Sequence, residues 1–369
     1  MAFLPILGGL YWGVAFFGEK KVSHFFLQFF VQKSCKKPTF AAFFKTKSFN
    51  FQQIRSNMIK ILANDGIEAD GKKMLEAAGF TVQTDSIPQA ELLTRLQEFD
   101  AIIVRSATQV RKELIDACPK LRVIARGGVG MDNIDVAYAK EKGLEVINTP
   151  AASSQSVAEL AMAHLFSLAR FLQQSNREMA TGDFKKLKKN YSEGIQLRGR
   201  TLGIVGFGRI GQELARLALG CGMKVVAHDP FLKSVKLSID IAHRQIPITV
   251  KIQTLKKVLE NSDVLSLHVP NLGKPLLGKA EMKKMKRGSI VLNCSRGGVI
   301  DEDALLAALE SGQIGGAGLD VFVGEPNPRP DLLRHSKVSV TPHIGASTVE
   351  AQAKIGQELA EKITAYFKK

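Results

Sequence analysis

The sequence predicts an α/β protein built from two doubly wound parallel sheets with a cleft between them. Short apolar strand patterns alternate with helix patterns from Met58 onward, an order that favours parallel sheets. A chain of 369 residues, of which 45% are hydrophobic, is also long enough for two cores. The glycine-rich run Gly206-Phe-Gly-Arg-Ile-Gly211 lies between a strand pattern and a helix pattern. Together these observations predict two α/β units that meet at a ligand site.

The first unit is predicted between residues 59 and 148. Its strand patterns lie at 59–63, 80–84, 101–104, 121–125 and 144–148. Its helix patterns lie at 69–79, 88–97, 110–117 and 133–143. A long helix is then predicted at 157–180, with the hydroxyls of Ser154 and Ser156 as candidate N-caps.

The second unit contains the glycine run and one departure from the alternation. Its strand patterns lie at 202–205, 223–227, 264–269, 289–293, 316–321 and 338–341. Its helix patterns lie at 212–219, 254–261, 279–286 and 301–311, and a last helix pattern follows at 348–367. Between residues 235 and 252, apolar residues alternate with polar ones on either side of Ala242-His-Arg-Gln245, which predicts a β-hairpin. We interpret this hairpin as a surface decoration or contact arm.

The glycine run has the spacing of a phosphate-binding turn in a dinucleotide site. Gly206 permits a tight turn, Gly208 lets a pyrophosphate approach the backbone, and Gly211 allows the helix to pack closely on the strand. The amides of Arg209 and Ile210, which open the helix, are expected to point at the phosphates. The second unit is therefore predicted to be a Rossmann-like cofactor domain.

Asp229 follows the next strand pattern, 18 positions after Gly211. A carboxylate about 20 positions beyond the glycines accepts hydrogen bonds from the adenosine ribose. Because this charge would repel a 2′-phosphate, the sequence favours NAD over NADP. Lys233 and Lys236 lie close by in sequence and act against this preference.

The first 57 residues differ from the rest of the chain. They hold 12 of the 21 phenylalanines, and eight basic residues against one acidic residue, Glu19. We expect Met58 to be the true start and the preceding residues to be upstream sequence translated in error. The alternative is a targeting or membrane segment, since residues 1–18 form an uncharged apolar stretch followed by Lys20 and Lys21. A membrane is an expected partner only if this extension is genuine.

The net charge of +16 is unevenly placed, because residues 1–57 contribute +7 of it. An anionic small-molecule substrate explains the remainder as readily as a polynucleotide does, and no recognition motif is present, so nucleic acid is not an expected partner. The four cysteines, at 35, 118, 221 and 294, show no CxxC or paired spacing. This pattern indicates reduced thiols in a cytoplasmic protein without a metal site.

Three loops that follow predicted strands carry the candidate catalytic residues Arg296, Glu325 and His343. Ligands of open α/β sheets bind at this edge. Hydride transfer from a secondary alcohol requires a base for the hydroxyl proton, and we assign this role to His343. Glu325 is expected to hold the imidazole and favour its protonated form. Arg296 offers a planar fork of donors to a substrate carboxylate and to the developing carbonyl oxygen.

From about residue 58 onward the chain resembles the D-isomer-specific 2-hydroxyacid dehydrogenases. The motifs that carry the resemblance are Val104-Arg-Ser-Ala-Thr108, Arg126-Gly-Gly-Val-Gly-Met-Asp-Asn133, the glycine turn with Asp229, His268-Val-Pro270, Asn293-Cys-Ser-Arg-Gly-Gly298, Leu319-Asp-Val-Phe322, Glu325-Pro326 and Pro342-His-Ile-Gly-Ala-Ser-Thr348. The resemblance implies that Arg296, Glu325 and His343 are the catalytic residues. We predict a substrate-binding domain from residues 58–156 and 346–369, an NAD-binding domain from 157–345, and residues 1–57 outside the fold.

The resemblance also implies which residues line the binding sites. The NAD site would include Val129, Arg209, Ile210, Asp229, Val269, Cys294, Ser295, Arg296, Asp320, His343, Ile344, Gly345 and Ala346. The acid substrate would face Arg105, Ser106, Arg126 and Arg296, with the amides of Gly128 and Val129 on its carboxylate. A homodimer or homotetramer is the implied assembly.

The strings at 105–108 and 345–352 are similar to those of the phosphoglycerate-oxidising branch of the family. This similarity implies NAD-dependent oxidation of 3-phosphoglycerate to 3-phosphohydroxypyruvate, the first step of L-serine biosynthesis, with Arg105 or Arg126 on the phosphate. The cluster of Lys185, Lys186, Lys188 and Lys189 is either a further phosphate contact or a solvated face. Because the chain ends soon after its last helix pattern, a serine-sensing regulatory domain is not expected.

Other functions stay open at this stage. Glyoxylate and hydroxypyruvate reductases and other D-2-hydroxyacid dehydrogenases share the catalytic residues, so these residues do not select the substrate. A co-repressor that senses NADH on the same fold is a further alternative.

Overall fold

The computed structural model describes residues 58–369, and both hypotheses about the preceding segment concern residues outside this range. The strands of the described range form a five-stranded sheet, a six-stranded sheet and a separate two-stranded hairpin. All neighbouring strands within the two larger sheets run parallel. The predicted α/β class with two parallel sheets is therefore confirmed.

The five-stranded sheet has the order β2-β1-β3-β4-β5. Its strands are β1 (Lys60–Ala63), β2 (Thr81–Gln83), β3 (Ala101–Val104), β4 (Val123–Arg126) and β5 (Glu145–Asn148). The helices between them are α1 (Ala69–Ala77), α2 (Leu92–Arg95), α3 (Lys112–Ala117) and α4 (Val136–Glu141). Only the middle of the helix predicted at 88–97 is α-helical, because 3₁₀ turns at Gln89–Glu91 and Leu96–Glu98 flank α2.

The six-stranded sheet has the order β13-β12-β11-β10-β6-β7. Its strands are β6 (Thr201–Val205), β7 (Lys224–His228), β10 (Val264–Leu267), β11 (Ser289–Asn293), β12 (Ile314–Leu319) and β13 (Val338–Val340). The helices from this part of the chain are α5 (Ser154–Ala169), α6 (Leu172–Glu178), α7 (Phe184–Asn190), α8 (Arg209–Gly220), α9 (Leu255–Asn261), α10 (Lys279–Met282), α11 (Glu302–Glu310) and α12 (Pro330–Arg334). The last helix is α13 (Val349–Phe367).

The long helix predicted at 157–180 is wrong in both its start and its length. α5 begins at Ser154, and its N-cap position belongs to Ser153, whose side chain makes no capping hydrogen bond. Phe171 has a φ of 55°, in the left-handed region, which interrupts the helix before α6. The ring of Phe171 packs on Tyr191, with ring centroids 5.4 Å apart. This tertiary contact accompanies a break that no glycine or proline marks in the sequence.

The last helix returns to the first sheet. Ile355, Leu359 and Ile363 of α13 are buried in the same cluster as Ile61 of β1 and Ile103 of β3. We call the five-stranded sheet with α1–α4 and α13 the first lobe, and the six-stranded sheet with α5–α12 the second lobe. The exact domain boundaries stay a prediction.

The chain crosses between the two lobes at two places. It enters the second lobe at the start of α5 and leaves it just before α13. At these crossovers Ser156 Oγ and Thr348 Oγ1 lie 2.8 Å apart, at hydrogen-bond distance. The two connections are therefore joined to each other.

The predicted hairpin is confirmed as β8 (Ser234–Ile241) paired antiparallel with β9 (Arg244–Lys251). Its turn is shorter than the predicted four residues, because Ala242 and His243 alone form it, with φ of 48° and 63°. Leu237 and Val250 are buried with Leu214 of α8, so the hairpin rests on the second lobe. Within residues 58–369, none of the helices combines the length and hydropathy that a bilayer crossing needs.

Candidate active site

The carboxyl ends of both sheets open onto one cleft of about 520 Å³. In each sheet the cleft lies at the point where the strand order reverses, between β1 and β3 and between β6 and β10. Many predicted site residues line it: Arg105, Ser106, Arg126, Gly128, Val129, Ile210, Val269, Cys294, Ser295, Arg296, Asp320, His343, Gly345 and Ala346. Other predicted residues are not among its lining residues: Gly206, Gly208, Arg209, Gly211, Asp229, Glu325 and Ile344.

The glycine turn has the geometry of a cradle for a phosphate group. Gly206 has a φ of 88°, which favours glycine, and a Cβ at Gly211 would lie 2.4 Å from the Gly206 carbonyl oxygen. A Cβ at Gly208 would meet no atom within 4 Å, so the space above it is open. Directly after this open position α8 begins at Arg209, with its first amides unpaired within the helix. The turn therefore fits the pyrophosphate of a dinucleotide.

Asp229 connects the end of β7 to this turn. Its Oδ2 accepts a hydrogen bond from the Phe207 amide at 2.9 Å, and its Oδ1 accepts one from the Phe231 amide at 2.9 Å. A carboxylate oxygen can accept more than one hydrogen bond, so Asp229 keeps acceptor capacity for ribose hydroxyls. The side chain both orders the turn and adds a negative charge beside it.

His343 and Glu325 form a hydrogen-bonded pair at the edge of the cleft. The distance from His343 Nδ1 to Glu325 Oε2 is 2.8 Å, and Glu325 Oε1 accepts from the Phe322 amide at 2.9 Å. Burial alone would raise the pKa of Glu325, but the hydrogen bonds from His343 and Phe322 outweigh it and hold that pKa below its ordinary value. A carboxylate on Nδ1 leaves Nε2 as the ring nitrogen available to a substrate.

Asp320 binds the loop that carries His343 through two backbone amides. Asp320 Oδ1 accepts from the Ile344 amide and Oδ2 from the Gly345 amide, both at 2.8 Å. His343 itself has a φ of 54°, an unfavourable backbone for a residue with a side chain. The hydrogen bonds from Ile344 and Gly345 to Asp320 therefore stabilise the strained backbone of His343.

Arg296 reaches across the cleft from the second lobe to the first. Its Nε donates to Asp132 Oδ2 at 2.6 Å, and its Nη1 donates to the Ser295 carbonyl at 2.6 Å. Gly130 leaves room for this arrangement, since a Cβ there would lie 1.3 Å from Arg296 Nη2. Burial would raise the pKa of Asp132, but the hydrogen bond and charge of Arg296 lower it below its ordinary value. The guanidinium is thus oriented by acceptors of the protein itself.

Arg105 and Arg126 line the first-lobe side of the cleft. Arg126 Nε donates to the Arg105 carbonyl at 3.2 Å. Burial and then repulsion from Arg296 lower the pKa of Arg126 to about 10, while Asp132 acts in the opposite direction. Within residues 58–369, neither arginine forms a salt bridge. The cleft therefore presents two cations that a multiply charged anion could neutralise.

Sequence reasoning missed two residues that line this cleft, Asp65 and His268, and a third, Asp132, that binds the cleft residue Arg296. Asp65 accepts from the Arg105 amide at 2.7 Å, and its place two residues after the end of β1, at the reversal of strand order, could have indicated it. Asp132 lies within a motif that was singled out, but its contact with Arg296 spans 164 positions. His268 was also part of a motif without a role. The lysines of α7 do not line the cleft, which leaves them as a solvated face.

His268 combines a cleft position with a buried ring nitrogen. Its Nε2 lies 2.9 Å from Ser266 Oγ, while its Nδ1 is buried and has no hydrogen-bond partner within the described part of the chain. Burial lowers the pKa of His268 to about 4, so the ring is neutral near pH 7. A bound ligand is one means by which such an orphaned nitrogen gains a partner.

Comparisons with known proteins identify the family that this chain resembles. The family model described as "D-isomer specific 2-hydroxyacid dehydrogenase, NAD binding domain" matches residues 162–345. A hydroxypyruvate reductase from Thermotoga maritima is 41% identical over 310 residues, which cover 82% of this chain and 97% of that protein. A D-3-phosphoglycerate dehydrogenase from Methanocaldococcus jannaschii is 40% identical over 309 residues, which cover 83% of this chain but 57% of that protein.

A solved structure supports the same fold. The crystal structure of a protein from Thermus thermophilus superposes with a TM-score of 0.75 at 31% identity. The superposition covers 84% of this chain and 97% of that one. The chain thus spans nearly all of the Thermus protein and of the Thermotoga reductase, and little more than half of the Methanocaldococcus dehydrogenase.

Proposed function

The chain belongs to the D-isomer specific 2-hydroxyacid dehydrogenase family and carries its NAD-binding domain, and from this premise we propose that it oxidises 3-phosphoglycerate to 3-phosphohydroxypyruvate. The 40% identity with a D-3-phosphoglycerate dehydrogenase supports this substrate. The reaction would supply the precursor of serine. We further propose that the enzyme works in the cytoplasm as a homo-oligomer.

The observation that carries the proposal is the pair of arginines on the first-lobe side of the cleft. Burial, with repulsion from Arg296, lowers the pKa of Arg126 to about 10, yet within the described residues neither its guanidinium nor that of Arg105 forms a salt bridge with a carboxylate. A substrate with only a carboxylate would occupy Arg296 and leave both charges in place. A phosphate supplies a second anion, and guanidinium groups bind phosphate oxygens in a bidentate manner.

The proposed mechanism uses three side chains of the second lobe. NAD, when bound, supplies the acceptor for the hydride from the substrate carbon. Arg296 binds the substrate carboxylate and the oxygen that becomes the carbonyl. His343 takes the hydroxyl proton on Nε2, since Nδ1 is held by Glu325 at 2.8 Å. Glu325 then stabilises the imidazolium that forms.

A second candidate function is reduction of hydroxypyruvate or glyoxylate. The relative that is 41% identical over 97% of its length is named a hydroxypyruvate reductase. In that case the same residues act in reverse, with His343 as the acid. Arg105 and Arg126 would then face the polar tail of the acid without a phosphate.

Substrates that differ only in the phosphate test the choice directly. We expect purified protein to form NADH from NAD and 3-phosphoglycerate. In the reverse direction we expect kcat/KM with NADH to be at least about tenfold higher for 3-phosphohydroxypyruvate than for hydroxypyruvate, as one charge-assisted contact gives. An equal or inverted ratio would favour the reductase. Glyoxylate, which lacks the tail, serves as the control for the shared chemistry.

A further inference from the structure

His164, in the middle of α5, lies outside every site predicted from the sequence. Its side chain is buried, with 3% of the residue exposed, and both ring nitrogens have partners. Nδ1 lies 2.8 Å from Ser339 Oγ in β13, and Nε2 lies 3.0 Å from Thr341 Oγ1, just after β13. A buried histidine with two specific hydroxyl partners has a defined orientation and can in turn orient those partners.

The hydrogen bonds around Asp320 determine which nitrogen of His164 carries the proton. Three donors surround the Asp320 carboxylate: the Ile344 amide, the Gly345 amide and the Thr341 hydroxyl at 2.6 Å. Thr341 has only one hydroxyl hydrogen, so it donates to Asp320 and accepts from His164. His164 therefore carries its hydrogen on Nε2. Nδ1 is then an acceptor, and the Ser339 hydroxyl donates to it.

The second lobe is shaped to admit this ring. Gly318 in β12 lies opposite His164, and a Cβ at Gly318 would come within 2.7 Å of His164 Cβ. The same Cβ would lie 2.8 Å from the side chain of Leu292 in β11. Any larger residue at 318 would push α5 and its histidine away from the end of β12. Asp320 lies there, two residues after Gly318.

The chain of contacts ends at the proposed catalytic base. Asp320 binds the two amides that directly follow His343, whose φ of 54° is unfavourable for a residue with a side chain. We propose that His164 is a positioning residue: its Nε2–H, through the Thr341 hydroxyl, orients Asp320 and so holds the loop that presents His343. This inference rests on the proposed role of His343 in the dehydrogenase reaction.

Three variants separate positioning from packing. His164→Phe keeps an aromatic ring but removes both hydrogen bonds, and we expect kcat to fall about tenfold with the KM of the acid changed less than about twofold. His164→Gln can restore a donor near Nε2, and we expect it to recover most of kcat. Ser339→Ala is the matched control, because it removes the other hydrogen bond of His164 and leaves the Nε2–H donor in place. It should lower stability while kcat stays within about twofold of the unchanged protein.

A second measurement does not depend on turnover. Hydrogen–deuterium exchange of the amides of Ile344 and Gly345 should become several-fold faster in His164→Phe and stay unchanged in Ser339→Ala. If His164→Phe does not fold, Thr341→Val breaks the same link from its other end and should give the same pattern. ¹⁵N spectra should show His164 with a protonated Nε2 and a bare Nδ1, identified by the loss of these resonances in His164→Gln.

The results also distinguish failure of this inference from failure of the proposed function. Equal losses of kcat and equal exchange in His164→Phe and Ser339→Ala would overturn the inference, as would a proton on Nδ1. If 3-phosphoglycerate is not the substrate, kcat is measured with the acid that the protein does turn over. If no acid is turned over, the proposed function fails, while the exchange and ¹⁵N measurements still decide whether His164 holds the loop.

Discussion

The two sides of the cleft hold their polar groups in different ways. In the second lobe, both oxygens of Asp320 accept hydrogen bonds, and His343 is fixed to Glu325 at 2.8 Å. In the first lobe, Arg105 and Arg126 face the cleft without a salt bridge within the described residues. The polar groups of the second lobe are thus held by hydrogen bonds within the protein, whereas the two arginines of the first lobe can be neutralised by an anionic ligand. Reaction chemistry and substrate choice are therefore expected to respond to different mutations.

Loss of His343 should have the largest effect, because it removes the base from the pre-organised side. We expect His343→Ala to lower kcat by about 10²- to 10⁴-fold with any acid substrate. Steady-state formation of NADH measures the effect. His243→Ala, in the exposed hairpin turn, is the matched control and should keep full activity. Retention of more than a tenth of kcat in His343→Ala would refute the assignment of the base.

Loss of Arg126 should affect substrate choice more than chemistry. We expect Arg126→Gln to lower kcat/KM for 3-phosphohydroxypyruvate by about 10- to 100-fold, because a charge-assisted hydrogen bond to the phosphate is lost. The value for hydroxypyruvate should change much less. Arg122→Gln, on a residue of the same lobe that does not line the cleft, controls for the change of charge. Equal losses on both acids would show that Arg126 contacts the part that they share.

A smaller effect is expected at the adenosine end of the second lobe. Asp229→Asn removes the negative charge and keeps an acceptor for the Phe207 amide, so the glycine turn should stay folded. We expect the preference for NAD over NADP to fall about tenfold, which corresponds to about 1.4 kcal/mol. Values of kcat/KM with both cofactors measure this ratio. An unchanged ratio would indicate that Asp229 only orders the turn.

The last prediction concerns stability and pH rather than catalysis or cofactor choice. The pKa of His268 lies near 4 in the folded chain and near 6.5 without burial, so the unfolded chain binds a proton first as pH falls. Stability should therefore decrease between pH 6.5 and pH 4, by at most about 1.4 kcal/mol per pH unit for this group. The free energy of unfolding can be measured by urea unfolding at several pH values in this range. It should change less steeply with pH in His268→Gln than in the unchanged protein.

The matched comparison for that slope is His164. Burial lowers its pKa as well, against an opposing effect of Asp320, so His164→Gln should also flatten the pH dependence. The free energy of unfolding of His268→Gln should consequently still depend on pH in this range. If both variants keep the slope of the unchanged protein, neither ring is neutral in the folded chain as described.

The sequence could predict those parts of the site that short motifs determine. The glycine turn, Arg296, Glu325 and His343 follow strands, and the carboxyl end of a parallel strand is where a ligand site is expected. Contacts between distant segments were not predictable in the same way. Arg296 meets Asp132 across 164 positions, and no local pattern indicates that pair.

The fold shows the same division between local and distant effects. The hairpin was predicted from alternating apolar residues, because this pattern reflects burial of one strand face, and most strands of the two sheets were predicted from short apolar runs. The break at Phe171 was missed, since it involves a residue that ordinarily continues a helix and packs on Tyr191, 20 positions later. The network of His164 was likewise hidden, because its partners lie more than 170 positions away.

The hydrogen bond between Ser156 and Thr348 has a mechanical consequence for the cleft. Both covalent connections between the lobes pass through this one place, with the hydroxyls 2.8 Å apart. Translation of one lobe away from the other would therefore strain both connections. A hinge rotation about this place would strain them less. Any motion that opens the cleft would therefore bend both connections at this place, beside the start of the helix that carries His164.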